Sequence, residues 1–200
     1  MTERELLLRA VPGALAEHRA PGLSPERIAA AAGLPAASFS AHFGSVAGAV
    51  LASQDLVVAR YRERLAEACR GQSDWPFKVK VAIGASLDLA AASPEQARML
   101  DPAVLGGEPQ VVRSAFHLRD QLASLLAKTC REGGVGDGLP TLTEQALVGG
   151  LCSTVLSRLD DGEAKRLPDL ASQLVEITLM PFLGRSEAAR IARRPAPQRG

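Results

Sequence analysis

Between Leu34 and Phe43 the chain carries the residue types with which a short helix meets a nucleic acid. Phe39 and Phe43, four positions apart, define one apolar face and turn Pro35, Ala36, Ala37, Ser38, Ser40 and His42 elsewhere. Alanine methyls suit the methyl of thymine, a serine hydroxyl bonds either base, and an imidazole bonds a phosphate oxygen. Just upstream, Ser24 offers a hydroxyl or a helix N-terminus to a phosphate, and Arg27 is the nearest cation. Each of these residues can equally serve as a cap or a packing residue. For His42, beside Phe43, that plainer role weighs nearly as much; for Ser24 both roles hold at once.

The elements that must position them are short helices. Ser24 caps free N–H groups, Pro25 follows where its missing N–H costs nothing, and Gly33 suits a left-handed C-cap. Leu34 reads as a buried turn residue, and Pro35 opens the second helix. Before this pair, Leu7, Leu8, Val11 and Leu15 predict a helix from Glu3 to His18, with Pro12-Gly13 expected to kink or weaken it. After it, a helix is predicted from Val46 to about Cys69, then others from Trp75 to Ala92, from Glu95 to Leu100, over 109–132, over 142–159 and over 168–183. In the 109–132 helix Val112, Phe116, Leu122, Leu125 and Leu126 are expected to point inward. Asp-Pro and Gly-Gly pairs at 101–107 and the run Gly133 to Pro140 read as breakers. Strand-like alternation is missing, so the fold class is all-α.

With these residues the chain resembles the TetR family of bacterial transcriptional repressors. That family's helix-turn-helix ends in Tyr-x-His-Phe, followed by a Lys at the start of the fourth helix. Here the motif stands as Ser40-Ala41-His42-Phe43, and Val46 occupies the place of the Lys. A valine cannot contact phosphate as that Lys does. The resemblance returns in the last two helices, through Leu147 to Leu156 and Leu170 to Gly184, which look like the pair that joins two copies in a four-helix bundle. Gly149, Gly150 and Ser153 would let helices approach closely there. The resemblance implies an N-terminal helix-turn-helix head over 1–48 and a helical ligand-binding and dimerisation domain over 49–184. It further implies a homodimer that places two heads in successive major grooves, about 34–36 Å apart, with operator DNA and a small-molecule effector as partners.

Composition sets bounds on this reading. Apolar residues are 46% of 200 positions, yet no run approaches the length of a membrane span. The first residues lack the layout of a secretory signal. Cys69, Cys130 and Cys152 are odd in number and scattered, which argues against disulfides or a zinc site and for the cytoplasm. No paired-carboxylate, nucleophile-elbow, phosphate-loop or metal-cluster motif is present, so neither a catalytic site, a cofactor nor a metal is expected. Net charge is +1, and through residue 54 four arginines meet four glutamates. That is a weak electrostatic footprint for a chain that must neutralise phosphates. Residues 185–200, with five arginines against Glu187, read as a basic, disordered tail.

For the effector, Trp75, Phe77, Ile83, Leu87, Met99, Phe116, His117 and Cys152 are candidate lining residues, and the mostly aliphatic composition favours an apolar molecule. Each of them would also serve a plain helical core. Two functions follow. One is a ligand-controlled DNA-binding repressor. The other keeps the fold with a degenerate head and acts as a small-molecule binder, a partner protein or a repurposed enzyme.

Overall fold

The computed structural model describes residues 1–101, 109–136, 138–140 and 142–194, and of Arg19 and Ala20 the backbone alone. In chain order the helices are α1 (Glu3–Gly22), α2 (Pro25–Ala31), α3 (Ala36–His42), α4 (Val46–Cys69), α5 (Trp75–Ala92), α6 (Pro94–Arg98) and α7 (Pro109–Glu132). There follow α8 (Thr143–Asp160), a 3-10 helix (Ala164–Leu170), α9 (Ala171–Leu183) and α10 (Arg185–Arg193). No strand occurs among the described residues, as the all-α expectation requires.

The chain divides into two compact units, Met1–Arg60 with Ser93–Leu118, and Tyr61–Ala92 with Arg119–Gly200. The division falls inside α4 and α7, so that α6 and the first half of α7 share a unit with α1, α2 and α3. In the first unit, Leu7, Leu8, Val11, Ala14 and Leu15 line the buried face of α1. Pro12 does not interrupt α1, which runs on to Gly22 and past the expected end at His18. Proline leaves the Leu8 carbonyl without its helical donor, and the buried Ser53 hydroxyl of α4 donates to it at 2.8 Å. The next residue, Gln54, is fully buried and donates from Nε2 to the Met99 carbonyl at 3.0 Å, which ties the end of α6 to α4.

In the second unit, α5 is mostly apolar, its charged side chains being Lys78, Lys80 and Asp88. Val79 joins a core of Ala123, Leu126 and Cys130 from α7, Val148 from α8, Val175 and Leu179 from α9, and Ala188, Ile191 and Ala192 from α10. The stretch 185–193, expected as disordered tail, is thus a helix. Its small apolar residues recur at helical spacing, and that burial outweighs the solvation of its arginines. Lys80 on α5 fixes its end, donating to the carbonyls of Ile191 and Ala192, each at 2.8 Å, and of Arg194. Residues 195–200 of the expected tail, and 102–108 of the expected loop, lie outside the described residues. At the end of α7, Trp75 lies so close to Gly133 that a β-carbon there would stand 2.1 Å from Trp75 Cδ1. The same indole meets Phe182 edge-on, ring centres 6.1 Å apart.

Two inward expectations on α7 fail: Phe116 is 52% and Leu125 54% exposed. The buried stripe of α7 runs instead through Val111, Ala115, Leu118, Ala123, Leu126 and Cys130. Among the described residues no single helix is long and apolar enough to cross a membrane.

Candidate nucleic-acid interface and effector site

α2 and α3 are built as their residues dictate. The Ser24 hydroxyl accepts from the Arg27 N–H at 3.3 Å, and Pro25 opens α2. Gly33 takes a left-handed φ of 70°, a conformation that favours glycine, and closes the turn. Leu34, expected to be buried, is half-buried. Phe39 is the buried anchor of α3, a side chain whose burial contributes about 2–3 kcal/mol. Its ring lies 5.6 Å from that of Phe43. With Phe39 turned inward, Pro35, Ala36, Ala37, Ser40 and His42 are exposed and Ser38 is half-buried. The α3 axis meets that of α4 at 74°.

The electrostatics of this surface are unusual. Between Arg27 and Arg60 there is no lysine or arginine, and Asp55 and His42 are the only ionisable side chains. Arg27 itself donates from its guanidinium to the Gly22 carbonyl at the end of α1. The start of α2 already holds an anion: the backbone N–H of Glu26 and the Ser24 hydroxyl keep the Glu26 carboxyl below its ordinary value. The Ser24 hydroxyl thus serves the cap and Glu26.

Two α1 residues that sequence reasoning missed reach this surface. Glu3 Oε2 lies 3.4 Å from His42 Nε2, and the Arg4 guanidinium sits over the Phe43 ring, 5.4 Å from its centre. A contact spanning 39 positions has no local signature in the sequence.

The effector candidates separate. Trp75, Ile83 and Cys152 pack against the core of the second unit, where Leu87 is buried. Phe77 lies beneath the Arg194 guanidinium, 5.3 Å from its ring centre. Met99 is fully buried in the first unit, its carbonyl held by Gln54 and its sulfur 3.7 Å from the Ser53 hydroxyl. Phe116 and His117 are exposed on α7. Along α5, every residue from Val81 to Ser86 is only half-buried although this stretch carries no charge. Burial pushes the Cys152 thiol up and that of Cys130 up to about 12, which keeps both protonated and poor nucleophiles. No group of three or more metal-ligating side chains occurs among the described residues.

On α8, β-carbons added at Gly149 and Gly150 would meet nothing within 4 Å. On α9, Ile177 and Met180 are 50% and 37% exposed.

No family model and no curated protein matches the chain. Solved structures do. The fatty acid degradation regulator FadR from Bacillus halodurans is 18% identical, with a TM-score of 0.76 over 90% of this chain and 95% of that one. The transcriptional regulator FadR from Bacillus subtilis, solved in complex with stearoyl-CoA, is 17% identical, with a TM-score of 0.75 over 90% and 98%. A TetR-like transcriptional regulator from Rhodococcus sp. RHA1 is 20% identical, with a TM-score of 0.68 over 86% and 93%. The chain has the all-α fold of these TetR-like regulators.

Proposed function

We propose that the protein is a TetR-family transcriptional regulator, a cytoplasmic homodimer that represses by binding operator DNA and is released by a small apolar ligand. The observation that carries this reading is the α2–turn–α3 unit. The buried Phe39 holds a seven-residue helix whose outer face is small, polar and exposed, within a fold that matches regulators over nearly their whole length. Pro35, Ala36, Ala37, Ser38 and Ser40 read base edges, while His42, Ser24 and Arg27 stand nearest the phosphates.

The ligand would enter the second unit beside α5, among Trp75, Phe77, Ile83, Leu87 and Cys152. The uncharged stretch from Val81 to Ser86, left half-buried, supports an apolar ligand there, since such a stretch is ordinarily covered. The stearoyl-CoA held by the Bacillus subtilis regulator has an acyl chain of that character, joined to a charged coenzyme A head. Release follows if the ligand prefers the conformation that DNA disfavours. Two copies would join through α8 and α9, where Gly149, Gly150, Ile177 and Met180 are open.

One observation favours the rival without an operator: the missing cations between Arg27 and Arg60. Gel shifts against DNA flanking the gene, across a salt series, separate the two. A specific complex whose log affinity falls linearly with log salt establishes the regulator and counts its phosphate contacts. A folded dimer with no complex at low salt establishes the rival.

A further inference from the structure

We propose that Glu3 is a built-in competitor for the DNA phosphate that His42 would hold, so that DNA affinity is set by the exchange of one side-chain pair. The inference rests on the DNA-binding reading above. Each residue in the first turn of α1 has a traceable role. Thr2 and Glu5 form a reciprocal cap: the Thr2 N–H donates to Glu5 Oε2 at 2.8 Å, and the Glu5 N–H donates to Thr2 Oγ1 at 3.3 Å. Arg4 covers the Phe43 ring. Glu3 has no part in that cap. Its carboxylate reaches the end of α3 and stands 3.4 Å from His42 Nε2.

His42 is the only side chain between Arg27 and Arg60 able to carry a positive charge, and the Arg27 guanidinium is bonded to the Gly22 carbonyl. The one ring N–H donor of α3 therefore faces a carboxylate. Nε2 is the outer nitrogen of the imidazole, the one a phosphate arriving from solvent would meet. Phosphate and carboxylate cannot share its single N–H, because two anions held that close repel each other. Both partners are at the surface, with side chains 32% and 53% exposed, so Glu3 is free to swing into water when displaced. Exposed pairs of this kind are weakly held.

The test uses the full-length protein and a duplex it enriches from a randomised pool, with Glu3→Gln, His42→Ala and the double variant checked for unchanged melting. Glu3→Gln should tighten binding about threefold to tenfold, as expected for a charge removed within a few ångströms of a phosphate. The log–log salt slope should steepen by about one contact. In the His42→Ala background the gain should fall below about twofold, since no side-chain N–H remains to contest. An equal gain in both backgrounds overturns the proposal in favour of long-range charge. Unchanged or weaker binding by Glu3→Gln overturns it in favour of a carboxylate that orients the imidazole. If neither the wild type nor Glu3→Gln enriches any duplex, the DNA-binding reading itself fails and this inference with it.

Discussion

The Ser53 hydroxyl donates to the Leu8 carbonyl, the one helical acceptor that Pro12 cannot serve. A proline in the middle of α1 should leave that carbonyl orphaned in the core, and α4 supplies the donor from outside the helix. Gln54 then holds the Met99 carbonyl. Two consecutive residues of α4 thus secure α1 and α6, which is why the first compact unit extends beyond the head to include α6.

Ser53→Ala should therefore destabilise the protein by about 1–3 kcal/mol, the usual cost of an unsatisfied buried polar group. Pro12→Ala restores an N–H to the same carbonyl. The double variant should recover most of the loss, because the helix then closes its own bond. Urea unfolding of the four proteins in this cycle measures the coupling; additive losses would show that the hydroxyl acts elsewhere.

Gly133 tests the other unit. A β-carbon 2.1 Å from Trp75 Cδ1 cannot be accommodated unless the indole moves, and the indole is braced against Phe182. Gly133→Ala should cost about 1–3 kcal/mol by overpacking. Trp75 is the only tryptophan, so its fluorescence reports the displacement directly. An unchanged spectrum and stability would mean that the chain end relaxes freely.

Stability should also fall on the acid side. The Arg158 hydrogen bond chiefly, with Arg158 and Arg166 charges behind it, holds the Glu163 carboxyl below its ordinary value of 4.5. A carboxyl lowered on folding stabilises above its unfolded value and loses that contribution as pH falls below about 4.5 through the folded value. Arg158→Ala should flatten this part of the pH profile while leaving its shape at neutral pH. Glu163 is on the surface, so the change is small and is read best from urea midpoints between pH 3 and 6 at low salt.

What was legible in the sequence was local. Ser24, Pro25, Gly33 and Phe39 announce their own caps, turn and anchor, and the helices from Val46 and Trp75 begin where expected. α10 carried its apolar spacing at Ala188, Ile191 and Ala192 in plain view, but composition favoured a solvated tail, and only its fit against α5 and α9 decides otherwise. Pro12 misled for a related reason: its penalty is removed by a residue 41 positions away. On α7 periodicity admits more than one buried stripe, and Phe116 and Leu125 fell outside the real one. The exposed residues of α3 could be named in advance; the carboxylate facing His42 belongs to another helix and had no local signature.

Gly149 and Gly150 bear on how two copies would meet. Glycines inside α8 weaken the helix relative to other residues, and none of the described residues outside the helix's own backbone comes within 4 Å of where their β-carbons would stand. Intrachain packing therefore gives no reason for them, whereas a second copy crossing closely would. Gly150→Leu replaces a poor helix former by a good one at an exposed position, which should raise the stability of the isolated chain by up to about 1 kcal/mol. The same side chain would hold two copies apart. Sedimentation equilibrium should thus show the wild type as a dimer and Gly150→Leu as a well-folded monomer, with unchanged helical circular dichroism. A variant that stays dimeric moves the interface away from α8, and one that unfolds returns Gly150 to a packing role within the chain.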